Sequence, residues 1–184
     1  MYTDHEREIQ KLEKARNGFI TEIAKNMHLY NITTSTGRLY GTVFLSEEPM
    51  TLDQMSEALG MSKTSMSTGI KSLLDADMVE RVWTKGIRKD LYKADEDWYK
   101  SFSNVFITRW RNATRLNKEA IQESKLLLEE LRDETSFEDV KKKTQLDIGK
   151  LSIAEEYYEW LTDVIELFET GEIFNLVPKR KRKN

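Results

Sequence analysis

Between Thr51 and Leu74 the chain carries two helix starts and one forced stop. Thr51-Leu-Asp-Gln54 has the T-x-x-Q form of a capping box, in which the threonine hydroxyl and the glutamine side chain satisfy each other's backbone N–H groups. Gly60 stands where a left-handed C-cap would end that helix after Leu59. Ser62 is placed to cap a second helix, which Met66, Ile70, Leu73 and Leu74 carry at helical spacing to about Ala76. Two short helices joined by a tight glycine turn make a helix-turn-helix candidate.

VERVWTKGIRKDLYK (79–93) follows directly and is the one convincing β segment. Val82, Trp83, Ile87, Leu91 and Tyr92 favour strands, and Lys85-Gly86 is placed as the turn of a hairpin. A helix-turn-helix followed by a two-stranded hairpin is the outline of a winged helix.

Helices are expected on both sides. Leu12, Phe19, Ile20, Ile23 and Met27 recur at helical spacing from about Thr3 to Tyr30. A short helix from Ser35 to Leu45, with Leu39, Tyr40, Val43 and Phe44 as candidates for burial, ends at Glu47-Glu48-Pro49. From Asp95 a periodic run through Trp98, Phe102, Val105, Phe106, Ala113, Leu116, Ala120, Leu127 and Leu131 extends to about Asp133. Its length predicts packing against another chain. After Thr135-Ser136 a last helix repeats a seven-residue seam, with Leu151, Tyr158 and Ile165 on one row and Ala154, Leu161 and Phe168 on the other. That pattern predicts an antiparallel or dimeric bundle, closed at Gly171.

The expected fold class is therefore mainly α with a small β-hairpin wing: a winged helix-turn-helix domain plus long helices forming a dimerisation bundle. The expected organisation is an N-terminal helix contributing to dimerisation (1–34), a DNA-binding domain (35–94), a helical dimerisation and ligand-sensing region (95–177) and a basic tail (178–184).

Charge distribution carries more than total charge. The 184 residues sum to −3, so a bulk argument for a nucleic-acid partner fails. Residues 61–93 alone stand at +3 and the Lys179–Lys183 run at +5, which leaves the rest of the chain at −11. An acidic body with two basic regions fits a local anionic partner. Cysteine is absent, and cytoplasmic residence is the simplest expectation. MYTDHEREIQKLEK does not read as a signal peptide, and no apolar run approaches the roughly 20 residues that span a bilayer.

The second helix of the motif, MSKTSMSTGIKSLL, has a composition of its own. With Met66, Ile70, Leu73 and Leu74 turned to the core, Ser62, Lys63, Thr64, Ser65, Ser67, Thr68 and Lys71 face outward or flank that face. Short hydroxyls let a helix approach a major groove closely and bond to phosphates or base edges, while the lysines supply charge for phosphates. A merely solvated face would use Glu and Arg, as this chain does elsewhere. Lys85, Arg88 and Lys89 sit at or beside the hairpin tip, where a wing touches phosphates or the minor groove; an ordinary charged turn is the alternative. Gly69 is explained at least as well by close helix packing as by DNA contact. His5 and His28 cannot share a metal within one helix, and neither a phosphate-binding glycine loop nor a cysteine nucleophile is present. No catalytic residue, metal or cofactor is expected, and the chain does not read as an enzyme. The aromatics outside the motif are read as core and dimer packing, with a box for a quaternary ammonium as the alternative.

The order L-x-x-M-S-x-x-L-G-M-S-K-T-S-M-S, then L-L, then M-V-E-R, resembles the winged helix of the MarR superfamily. SMSTGIKSLL followed by VWTKGIRKDLY, with STGRLYG (35–41) and EEPMTL (48–52) ahead, is similar to its GbsR-like branch. The resemblance covers residues 5–110 and extends loosely over the C-terminal helices. It implies a homodimeric repressor of choline-uptake or glycine-betaine-synthesis genes, bound to a double-stranded DNA operator on the nucleoid. Ser62–Leu74 would be the recognition helix and Thr84–Asp90 the wing tip. In some members of that branch choline is the inducer, held in an aromatic cage; Tyr40, Phe44, Phe106 and Trp110 are the first choices for one here. Others ignore choline, so a ligand-independent repressor and a winged-helix protein-interaction module are the competing expectations. Two positions depart from the superfamily pattern. Asp77 stands where a glycine precedes the M/L-V-x-R strand, and G-I-R-K-D (86–90) replaces the D-x-R wing signature, leaving Arg88 as the carried-over wing arginine.

Overall fold

The computed structural model describes residues 3–86 and 88–180. Its helices are α1 (Asp4–Asn26), α2 (Thr34–Phe44), α3 (Leu52–Leu59), α4 (Lys63–Asp75), α5 (Trp98–Glu134), α6 (Glu138–Thr170) and the single turn α7 (Ile173–Leu176). Strands β1 (Val79–Val82) and β2 (Leu91–Ala94) form an antiparallel pair. The chain divides into two compact units, Met1–Asn104 and Val105–Asn184.

In the first unit every helix of the reading motif starts on a side-chain cap. Thr51 accepts from the backbone N–H of Gln54 at 3.3 Å while the Gln54 side chain accepts from the Thr51 N–H at 2.8 Å, which is the expected capping box. Gly60 ends α3 at φ +63, in the left-handed region that favours glycine. Ser62 then caps α4 by accepting from the Ser65 N–H at 3.1 Å. The wing pairs Val79 with Ala94 and Val82 with Leu91, and Met50 bonds to Tyr92 from the other side, so a stub before α3 extends the sheet by one bridge.

The core beneath the motif gathers Met27, Ile32, Leu39, Tyr40, Val43, Met55, Met66, Ile70, Leu73, Met78, Val79 and Tyr92. Four of these are methionines, whose unbranched side chains fill the irregular gaps between short elements. Two glycines let α2 lie close to α1: a Cβ on Gly37 would come 2.8 Å from the Ala24 Cα, and one on Gly41 would come 3.1 Å from Ile20. Gly69 does the same on α4, where an added Cβ would meet Leu39 Cδ2 at 2.8 Å. Its place in the motif is thus a matter of packing against α2.

Two expectations need correcting. The first helix stops at Asn26, and a 3₁₀ turn (Met27–Tyr30) carries the chain to Asn31, whose φ of +60 breaks the helix. Leu12 and Phe19 are exposed, so only the end of α1 contributes to the core. Trp83 lies outside β1 and is 80% exposed, while Ile87, expected in the second strand, lies outside the described residues.

In the second unit α5 and α6 run antiparallel, with the Phe106 and Phe168 rings tilted against each other, centroids 4.6 Å apart, and Lys125 donating to Glu155 at 2.8 Å. The expected heptad seam of α6 is the face turned inward: Leu161 and Ile165 are buried, and Leu151, Ala154, Tyr158 and Phe168 are half-buried. On α5 the inward positions are Thr114 and Ile121, and the more apolar row of Leu116, Leu127 and Leu131 is exposed. Gly171 closes α6 at φ +77. Among the described residues no helix is long and apolar enough to cross a membrane, and no group of three or more His, Asp or Glu is arranged to hold a metal ion.

Candidate nucleic-acid interface

The inward face of α4 is made by Met66, Gly69, Ile70 and Leu73, all buried. A helix held on that side presents the rest of its circumference outward. Ser62, Lys63, Thr64, Ser65, Ser67, Thr68 and Lys71 are all exposed. The Ser62 and Ser65 hydroxyls lie 2.9 Å apart, so the N-terminal turn of α4 carries a paired hydroxyl beside its free backbone N–H groups. Such a turn favours an anion, since the N–H groups and the positive end of the helix dipole point the same way.

The cations around α4 fall into two classes. Lys63 and Lys89 are both held by one carboxylate: Asp53 on α3 accepts from Lys63 at 2.8 Å and from Lys89 at 2.7 Å. Those two lysines hold the Asp53 carboxyl down at about 2, well below the usual carboxylate range, with the Lys63 hydrogen bond the larger cause. Asp53 thereby joins α4 to the wing. Lys71, Lys85 and Arg88, in contrast, have no carboxylate partner among the described residues. Asp90, the acidic residue nearest Arg88, is taken by Arg81 across the hairpin, and Glu80 on β1 by Lys93, so among the described residues Arg88 has no carboxylate to orient it. The turn itself is made by Lys85-Gly86, with Gly86 at φ +88.

Three parts of this surface were not singled out from sequence. One is Asp53, which reads there as an ordinary acidic first-turn residue. Another is the Thr33–Thr36 run at the start of α2: Thr33, Ser35 and Thr36 share a groove of about 370 Å³ with Thr64, Ser65 and Thr68 of α4. The signal was available, since Thr33–Thr36 (TTST) repeats the hydroxyl composition that marks α4. The last is Trp83, whose β propensity pointed to a strand. Of the basic tail, Lys179 lies 4.7 Å over the Phe174 ring, and Lys181, Arg182 and Lys183 lie outside the described residues.

The aromatic cage candidates divide between the units. Tyr40 and Phe44 belong to a cluster with Phe19 and Trp98, with ring centroids 5.4 to 6.0 Å apart. Burial raises the Tyr40 phenol well above its ordinary range, so it stays neutral. Phe106 and Trp110 pack beside Phe168 in the second unit. The aromatic-walled cavity of the first unit, about 390 Å³, is lined by Phe19, Tyr30 and Trp98 together with Glu22, whose carboxylate accepts from Lys25 at 3.0 Å. Tyr40 and Phe44 pack against the Trp98 ring that lines it.

Residues 98–175 match a family described as GbsR family transcriptional regulator, C-terminal helical hairpin. Over 176 residues the chain is 41% identical to the HTH-type transcriptional repressor GbsR of Bacillus subtilis (strain 168), covering 95% of this chain and 97% of that protein. It is 38% identical to the HTH-type transcriptional repressor OpcR of the same organism, over 92% of each chain. Among solved structures, the crystal structure of a transcriptional regulator aligns over 85% of this chain and 99% of that one, at 17% identity and a TM-score of 0.45.

Proposed function

The chain belongs to the GbsR family of MarR-type, DNA-binding transcriptional regulators, and we propose that it is a homodimeric repressor of choline-uptake or glycine-betaine-synthesis genes, induced by choline. The observation that carries the DNA-binding face of this reading is the outward side of α4. It bears seven exposed hydroxyl and lysine side chains and is flanked by Lys85, Arg88 and Lys89 of the wing. Residues 35–94 read the operator, with Ser67 and Thr68 at base edges and Lys63 and Lys71 at phosphates. Residues 1–34 contribute to dimerisation, 95–177 dimerise and sense ligand, and 178–184 is a basic tail. The protein works in the cytoplasm, on the nucleoid.

Two exposed apolar rows support the dimer. Leu116, Leu127 and Leu131 lie along α5, and Ile153, Tyr157 and Trp160 along α6. Rows of this length facing water are the mark of an interface awaiting a partner. Two copies would engage half-sites about one helical turn apart, or a multiple of that.

Support for a cationic ligand comes from the cavity that brings Phe19, Tyr30 and Trp98 together, since ring faces attract a quaternary ammonium; Glu22, also in its lining, is paired with Lys25. Induction requires choline to bind the DNA-competent and DNA-released states with different affinity.

Fluorescence anisotropy with the upstream DNA of the chain's own operon tests the reading. Submicromolar binding that weakens steeply with salt is expected, and no binding would point to the protein-interaction alternative. Choline should lower that affinity. If isothermal titration shows no heat with choline while DNA binding persists, the ligand-independent repressor is the correct description.

A further inference from the structure

Within the second unit α5 and α6 line an open groove of about 710 Å³, in the size range of small-molecule sites. Its walls are largely apolar, with Ile107 and Ile165 among them, and three cationic side chains reach it: Arg111, Arg115 and Lys118. Two of these are already engaged. Arg111 donates to Glu169, and Arg115 donates to both carboxylate oxygens of Glu119, at 2.8 and 3.0 Å. Lys118 is half-buried and has no carboxylate partner among the described residues.

One turn earlier on the same face of α5 stands Thr114, 4% exposed, whose Oγ1 is buried without a hydrogen-bond partner. Several helical hydroxyls elsewhere in this unit donate back along their own helix, although the exposed Thr108 and Ser124 do not. Ser152 does so to the Ile148 carbonyl at 3.0 Å, Thr162 to Tyr158 at 2.8 Å and Thr170 to Glu166 at 2.9 Å. Thr114 makes no such bond, and unlike the exposed Thr108 it is buried, where an unpaired hydroxyl is costly.

An ammonium without a carboxylate partner and a buried hydroxyl without a partner, in a space whose wall is mostly carbon but also takes in Thr108, Asn112, Gln122 and Thr162, fit best a single negative charge with two acceptor oxygens on an apolar body. We propose that this groove binds an amphipathic monocarboxylate, whose carboxylate is received by Lys118 and Thr114 and whose hydrocarbon packs on Ile107 and Ile165. A phosphate monoester is the poorer match, because its second charge would need Arg111 or Arg115 to leave its glutamate. A quaternary ammonium is disfavoured by the surplus positive charge. The proposal is independent of the choline reading, which uses other residues.

The test is isothermal titration of the full-length protein with sodium octanoate, with 1-octanol and octyltrimethylammonium as neutral and cationic counterparts of equal chain length. Saturable octanoate binding is expected, with both counterparts weaker by about tenfold or more, as loss of a charge-assisted hydrogen bond implies. Lys118→Met should bring octanoate down to the level of octanol, and Thr114→Val should weaken it several-fold. Circular-dichroism melting confirms that each variant folds, and Lys118→Gln replaces Lys118→Met if that variant does not. Equal binding of all three probes, binding of none, or octanoate binding unchanged in both variants would overturn the proposal.

Discussion

The Asn104 side-chain amide donates to the Asp77 carboxylate at 2.6 Å, while the Asp77 backbone sits at φ +51 and its carbonyl accepts from the Ser101 hydroxyl at 2.8 Å. This explains how an aspartate occupies the position where the superfamily pattern that the sequence resembles has glycine. The turn from α4 into β1 needs a left-handed residue, Asp tolerates that region better than most, and its carboxylate bonds to the start of α5 in return. Asp77→Ala should therefore lose both features and cost about 1–3 kcal/mol. Asp77→Gly should cost less, because it relaxes the backbone as it gives up the contacts. Urea denaturation of the two variants orders them, and a larger loss for Asp77→Gly would refute the backbone argument.

Asp53 neutralises two lysines that the proposed interface needs. Asp53→Asn should release Lys63 and Lys89 and tighten binding to non-specific duplex DNA at low salt. The slope of log K against log salt should steepen by about 0.9 for each lysine that turns to a phosphate. Weaker binding would mean that Asp53 orients the lysines instead of withholding them. The same carboxyl predicts a pH effect. Its folded value near 2 lies below its ordinary value of 3.8, so its pairs contribute fully above about pH 4 and are lost as the pH falls toward 2. An NMR titration of Asp53 should find that low midpoint, and Lys63→Ala should raise it.

Gly37 and Gly69 both prevent a contact of 2.8 Å, yet with different neighbours. The atom beside Gly37 is the Ala24 backbone, which cannot move without shifting α1. Beside Gly69 it is the end of the Leu39 side chain. Gly37→Ala should cost about 2–3 kcal/mol by overpacking. Gly69→Ala should cost about 1 kcal/mol or less, since Leu39 can give way and alanine favours the helix by a similar amount. Thermal melts separate the two, and equal losses would contradict the distinction.

Trp83 is 80% exposed beside the wing cations, so truncating it should leave stability within about 0.5 kcal/mol. An apolar ring at that place is suited to lie against sugar or base edges in the minor groove. Trp83→Ala is expected to weaken operator binding several-fold with no change in melting temperature. Operator affinity indistinguishable from that of the unmodified protein would remove Trp83 from the interface.

The reading motif was legible to within a residue or two because its boundaries are set by local chemistry. Thr51 with Gln54, Gly60 and Ser62 act on their own backbone neighbours, and α3 and α4 begin and end where those residues place them. The heptad seam of α6 was legible for the same reason: seven-residue spacing is a property of the helix alone.

Where the answer depended on a neighbour distant in sequence, spacing was silent. On α5 the apolar row of Leu116, Leu127 and Leu131 is the more hydrophobic choice, but α6 covers the row containing Thr114 and Ile121. Periodicity ranks faces without saying which partner takes which. Lys63 and Lys89 are 26 positions apart in sequence, and only the packing of α3 beside the wing puts Asp53 between them. Gly69, in a helix rich in weak formers, acquires its reason from Leu39 on α2. The sequence by itself determined the motif, its caps and the chemistry of its outward face, because those are short-range matters of hydrogen bonding and helical period. The tertiary structure alone decided which cations are paired, which apolar rows remain open and which glycines are packing sites, because each depends on a distance that chain order does not encode.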